Sequence, residues 1–212
     1  MLSYRKRKQA AMMVTPQDIL SFWFEGALEE PFQPKIFNQR WFGASEATDT
    51  EIKQRFHETL DAIARGERED WLKDPHSALA YIIVLDQFSR TIHRGKGEAF
   101  AYDEQARHAA RQLMQHDGHL ALAPIQRVFV YLPFEHSEDL ADQKQAVSLF
   151  KTLILAAPPG QEELFEGYYD YALRHAAVIE RFRRFPHRNA RLQRENTPEE
   201  EAFLQEPGSS FG

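Results

Sequence analysis

Asp74-Pro-His-Ser-Ala-Leu-Ala-Tyr-Ile-Ile-Val-Leu-Asp-Gln-Phe-Ser-Arg90 is the stretch whose reading decides the fold. Asp74 before Pro75 is a helix-start signal, because the Asp side chain accepts from free N–H groups and proline fits the first helical position. At 100° per residue, Leu79, Tyr81, Ile82, Ile83, Val84, Leu85 and Phe88 surround nearly the whole circumference. A helix apolar on all sides is a central one. Into that rod the sequence sets Asp86, on the arc between Ile82 and Ile83, with Arg90 four residues on along the same face. A lone buried carboxylate costs several kcal/mol, so Asp86 has to be paired or hydrogen-bonded. Two uses stay open: an internal brace, by an Asp86–Arg90 ion pair or a cap on a neighbouring helix, or one wall of a polar pocket built from Asp86, Gln87 and Arg90.

Helical signals continue on both sides. Thr15-Pro16 opens a helix through Leu20 and Phe24, and residues 26–34 break it. Thr48 and Glu51 have capping-box spacing, with Ile52, Phe56, Leu60 and Ile63 at helical intervals up to Gly66. Further helices are predicted over 75–88, 103–116 and 124–132, the last stopping at Pro133. Ser137 is expected to cap a helix to about residue 156, Pro158-Pro159-Gly160 separates it from a long helix over 161–182, and Thr197-Pro198 caps a last short one. No alternating strand is visible. The pattern implies an all-α fold of about seven to nine antiparallel helices without a sheet. The 34-residue signature of a strict tetratricopeptide repeat is not visible, so units of a solenoid would have to be diverged. Residues 14–206 read as a single domain between a basic tail over 1–13, frayed or serving as a polybasic docking arm, and a polar tail over 207–212.

At 212 residues the chain is long enough for a sizeable core, and 42% hydrophobic with 27% charged residues is ordinary for a globular protein. No apolar run nears the roughly 20 residues that cross a bilayer. No apolar stretch follows Arg5-Lys6-Arg7-Lys8, so no secretory signal is expected. The absence of cysteine removes disulfides, thiolate catalysis and cysteine-bound zinc, and suits a cytoplasmic protein. A net charge of −6 argues against general nucleic-acid affinity, and neither nucleic acid nor membrane is an expected partner.

Two more clusters carry polar chemistry. In residues 179–191, Arg181, Arg183, Arg184, Arg188 and Arg191 crowd together with His187 and Asn189, interleaved with Phe182 and Phe185. The rings anchor the segment, leaving the guanidinium groups to grip an anion or to pair internally, with Asp86, Glu135 and Glu138 as the available acids. In residues 131–139, Glu135 and His136 sit on a connection between helices, where they read as an acid/base pair or as bystanders to a helix N-terminus. His175 falls on an apolar helix face and reads as a hydrogen-bonded core residue. His116-Asp-Gly-His119 reads as a helix stop, and no metal site is expected. Phe22-Trp23-Phe24 and Trp41-Phe42 read as core.

Those aromatic runs, together with Leu85-Asp-Gln-Phe-Ser-Arg90, Arg94-Gly95, Phe100-Ala101, the run from Tyr131 to Glu138 and Arg184-Phe-Pro-His-Arg-Asn189, resemble the bacterial family known as domain of unknown function 924. The resemblance covers roughly residues 15–205. It implies an all-helical, tetratricopeptide-like superhelix in the cytoplasm, and it brings no established activity and no cofactor. The family's polar positions fall at Asp86, Gln87, Arg90, Arg94, His136, Ser137, Glu138, His187, Arg188 and Asn189. Ser89 stands where the family often has proline, and Arg183 and Gln193 stand where glycine is expected. These residues are expected to converge on one concavity. There Arg90, Arg94 and Arg188 would bind a phosphate- or carboxylate-bearing metabolite, with Gln87, Ser137, Glu138 and Asn189 around it. His136 or His187 would move a proton, and Asp86 would orient a neighbour. The competing expectation is an interaction module that presents a groove to a protein or peptide, with the polar clusters as internal braces.

Overall fold

Side chains of Thr15, Ser45, Asp74, Asp139 and Thr197 cap five of the helix starts. The computed structural model describes residues 13–28, 34–43 and 45–210, without the side chains of 34–36. The sequence reading of residues 1–12 and 211–212 therefore lies outside the described residues, whereas Ser209 in the expected polar tail is buried and donates to the Leu204 carbonyl. Thr15 opens α1 (Pro16–Phe24) with a reciprocal capping box to Asp18, and Thr197 opens α10 (Pro198–Leu204) in the same way with Glu200. Between them lie α2 (Pro34–Phe42), α3 (Glu46–Ala64), α4 (Pro75–Ile83), α5 (Ser89–Ile92), α6 (Asp103–Met114), α7 (Pro124–Glu135), α8 (Leu140–Leu155) and α9 (Glu162–Phe182). No strand occurs among the described residues. None of the helices is long and apolar enough to cross a membrane.

Three expected boundaries move, each for a local reason. Helix α3 is capped by Ser45, whose Oγ accepts from the Thr48 N–H, so Thr48 lies inside the helix instead of starting it. Helix α8 is capped by Asp139, which accepts from Ala141 and Asp142. Ser137 stands two residues earlier, where its hydroxyl accepts from the Asp139 N–H and donates to Asp142. Pro133 does not stop α7, which runs two residues further to Glu135. One missing N–H near a helix end is tolerable where surrounding side chains are packed, and residues 128–135 are all buried.

The helix apolar on all sides is the central element, as its composition requires. Helix α4 packs on α1, α6, α7 and the 3-10 turn Glu69–Lys73, and its continuation packs on α3. That continuation, Val84–Phe88, is a π-helical turn, with the Ser89 N–H reaching back to the Val84 carbonyl. π turns are rare and frequently mark functional sites. Here the turn contains Asp86 and Gln87. Around it, Phe88 stacks on Phe56 with centroids 4.8 Å apart and meets Trp23 edge-on at 5.3 Å. Phe129 takes further edge contacts from Trp23, Phe24 and Trp41.

Helices α8 and α9 pack together as a hairpin against α7. Beyond them a smaller cluster of Val178, Ile179 and Phe185, flanked by Leu140, Phe182 and Phe203, pins the C-terminal segment back onto the body. The turn into that segment passes through Arg183 at φ 61°, and Gln193 has φ 54°. These are the two positions where the family resemblance led us to expect glycine, the residue that enters this left-handed region without a Cβ penalty. Phe88→Ala is expected to lower stability by roughly 3–5 kcal/mol, read from the urea midpoint. A loss under about 1 kcal/mol would mean that the aromatic cluster does not hold the central rod.

Candidate functional site

The Asp86 carboxylate is fully buried, and each oxygen has a partner. Oδ2 accepts from Gln87 Nε2 at 2.6 Å, and Oδ1 lies 2.7 Å from His136 Nδ1 at the end of α7. A carboxylate only accepts, so Nδ1 of His136 carries the hydrogen and Nε2 is left with the lone pair. Arg90 donates to the Asp86 carbonyl at 2.7 Å, and its Nη1 is 3.4 Å from Oδ1. The same guanidinium meets Asp103 Oδ1 at 2.9 Å, while Asp103 Oδ2 takes a 3.2 Å bond from Arg188. The result is a continuous chain of charge, from His136 through Asp86, Arg90 and Asp103 to Arg188. It joins the central rod, the α7 end, the α6 start and the C-terminal segment. Arg188 is held between the rings of Phe100 and Phe185, its guanidinium carbon 4.5 Å from each centroid.

This chain borders a concavity of about 940 Å³, whose lining includes His136, Arg188, Asp103, Arg107 and, from the 97–101 turn, Gly97, Glu98, Phe100 and Ala101. Gly97 belongs to a close approach here, because a Cβ on it would stand 2.7 Å from the Arg191 carbonyl oxygen. Not every expected residue reaches this place. Arg94 instead forms two 2.9 Å bonds to Asp49 on α3 and stays half exposed. Glu138 lines the rim but accepts two bonds from Arg194 and one from the Phe185 N–H. Asn189 is fully buried, bonded to Asn196 and Arg194. Ser137 does line the concavity, but its hydroxyl is held by Asp142 and its carbonyl by Gln143, which also donates to the Glu135 carbonyl. His187 packs on Phe185 at 5.4 Å and does not line the concavity.

The arginine run pairs with acids other than those expected. Arg181 meets Glu199, Arg184 holds Glu200 through two bonds, and Arg188 meets Asp103. Glu135 and His136, read as a possible pair, turn to different partners. His136 goes to Asp86, while Glu135 lies 3.2 Å from Nδ1 of His175, which also donates to the Tyr171 carbonyl. Asp103 and Arg194 had no signal in the sequence beyond ordinary helix-start and surface charges. Their roles come from elements that meet only in the fold. No group of three or more acidic or histidine side chains with metal-binding spacing exists among the described residues.

A family model described as bacterial protein of unknown function (DUF924) matches residues 19–208. Among solved structures, the protein of unknown function ATU0120 from Agrobacterium tumefaciens is 35% identical, with a TM-score of 0.76, over 90% of this chain and 96% of that one. No curated protein matches the chain.

Charge states follow from the surroundings. Burial alone would raise Asp86, but His136, Arg90 and Gln87 outweigh it and hold the carboxylate well below its usual range. Burial lowers His136, with Arg90 adding to the effect against Asp86, so the ring favours its neutral form. Burial also lowers Arg188, to about 10, which leaves it charged at neutral pH. His187 is pushed down to about 4 by burial and then by Arg188. Glu135 goes the other way, up to about 8, through burial and the neighbouring Asp86 charge. Because its folded value lies above its ordinary 4.5, the stability it contributes is complete below pH 4.5 and is lost as pH rises through about 8. Glu135→Gln removes that loss. The variant is expected to gain a few kcal/mol over the parent at pH 8.5 and little at pH 4.5. Thermal unfolding at the two pH values checks this, and an equal change at both would contradict a buried, protonated Glu135.

Proposed function

The chain belongs to the bacterial DUF924 family of unknown function, and we propose that it binds a small anionic ligand, phosphate- or carboxylate-bearing, in the concavity beside Arg188 and uses His136 as a general base. The observation that carries this reading is the Asp86–His136 contact of 2.7 Å on the wall of an open concavity lined by a buried arginine. Asp86 fixes the tautomer, so the lone pair on Nε2 is the only acceptor on the ring. Low solvent access keeps the ring neutral, so that its Nε2 lone pair is free to accept a proton. A proton taken from a bound ligand would leave an imidazolium directly against the Asp86 carboxylate, the arrangement that stabilises the charge as it forms. Positioned bases of this kind contribute about 10²–10⁴-fold to a rate. Arg188 would hold the ligand's anion, with its orientation fixed by Asp103 and the two rings. A chain without cysteine suits a cytoplasmic setting.

A tetratricopeptide-like interaction module is the second reading. Its support is the exposed apolar surface on the α8–α9 hairpin, where Leu155, Tyr171 and Leu173 stand out, together with closed pairs such as Arg94–Asp49 and Arg184–Glu200 that serve only as braces. Acetate and inorganic phosphate, titrated at millimolar concentration in a thermal-shift assay, separate the two. A ligand at a hundred times its dissociation constant adds about 2.7 kcal/mol, roughly 5–10 °C for a chain of this size. Arg188→Ala is expected to abolish the shift, and Arg188→Lys to weaken it. A shift that survives in both variants would put the anion away from Arg188, and no shift with either anion would favour the interaction module.

A further inference from the structure

Much of the charge around the concavity is already committed within its own wall. Asp103 is shared between Arg90 and Arg188, Glu138 takes two bonds from Arg194, Arg107 lies 3.0 Å from Asp142, and Asp139 caps α8. What remains on the lining falls into two sets. On the basic side are Arg188 and the exposed Arg191, which has no ion pair among the described residues. Arg188 is only 6% exposed, and its Nε is buried without a hydrogen-bond partner. A buried donor left unmet is unfavourable, and this one belongs to a residue that lines the concavity. On the acidic side are Glu98 and Glu104, both exposed and neither in an ion pair among the described residues. The approach of Gly97 to the Arg191 carbonyl keeps the turn that carries Glu98 against the basic segment, so both signs share one mouth.

Resting on the anion-binding reading above, we infer that the ligand is a zwitterion, with a carboxylate seated on Arg188 and an ammonium or similar cationic group toward Glu98 and Glu104. Arg188, whose buried Nε is unmet, and the unpaired Arg191 share the lining with two unpaired carboxylates, and a complement to that wall carries one charge of each sign. A dianion such as phosphate would meet the two glutamates with nothing to offset them. A simple carboxylate avoids most of that repulsion but leaves the acidic rim unused.

Calorimetric titration of the full chain tests the inference with three sets of probes: unbranched ω-amino acids from glycine to 6-aminohexanoate, the length-matched carboxylates from acetate to hexanoate, and inorganic phosphate. The amino acid of fitting length is expected to bind at least about tenfold more tightly than its matched carboxylate. The double variant Glu98→Gln with Glu104→Gln, both at exposed positions, is expected to erase that margin while carboxylate binding persists. Phosphate as the tightest probe, or a margin unchanged in the double variant, overturns the zwitterion and leaves the anion reading standing. Absence of binding by every probe overturns both.

Discussion

One carboxylate governs the polar half of this molecule. Asp86 sits inside a helix whose other faces are apolar, and a bare charge there is not tolerable. Gln87 and Arg90 come from its own rod, but they do not suffice, and His136 has to be brought from α7. Once Arg90 is placed against Asp86, its remaining donors call for Asp103, and Asp103 in turn fixes Arg188. Each link is placed by the one before. The C-terminal segment is thereby tied to the centre of the fold by electrostatics as well as by Phe185.

Buried ion pairs of this kind stabilise less than apolar packing of the same volume. The central rod is packed besides by the aromatic cluster around Phe88 and Phe129. A network that ends at an open concavity and includes a π turn is what supports the site proposed above. The same economy does not extend to the periphery. Arg181 with Glu199, Arg184 with Glu200 and Arg194 with Glu138 are partly exposed pairs that close the cap over the body, and their worth is local.

Much of the fold was legible because its signals are local. Proline after a capping residue marked α1, α4 and α10, and helical spacing marked α3, α6 and α9. Errors came where two local signals competed. Ser45 and Thr48 are both able to cap, as are Ser137 and Asp139, and only the path of the chain selects between them. Pro133 was a fair stop signal that surrounding packing overrode. The left-handed residues Arg183 and Gln193 carry no local signal at all, and the family resemblance gave only glycine as the residue to expect there.

The sequence by itself determined that the protein is all-helical, that one helix is central, and that Asp86 within it must be partnered. Those conclusions rest on periodicity and on the cost of burying charge, which depend on neighbours along the chain. Tertiary structure alone decided which partner. His136 lies 50 residues away and Asp103 lies 85 residues from Arg188, and no spacing rule connects such positions. It also separated Arg94 and Asn189 from the concavity, by giving them nearer acceptors. Helical phase says which side chains share a face, whereas which faces meet is settled only when the helices pack around the rod.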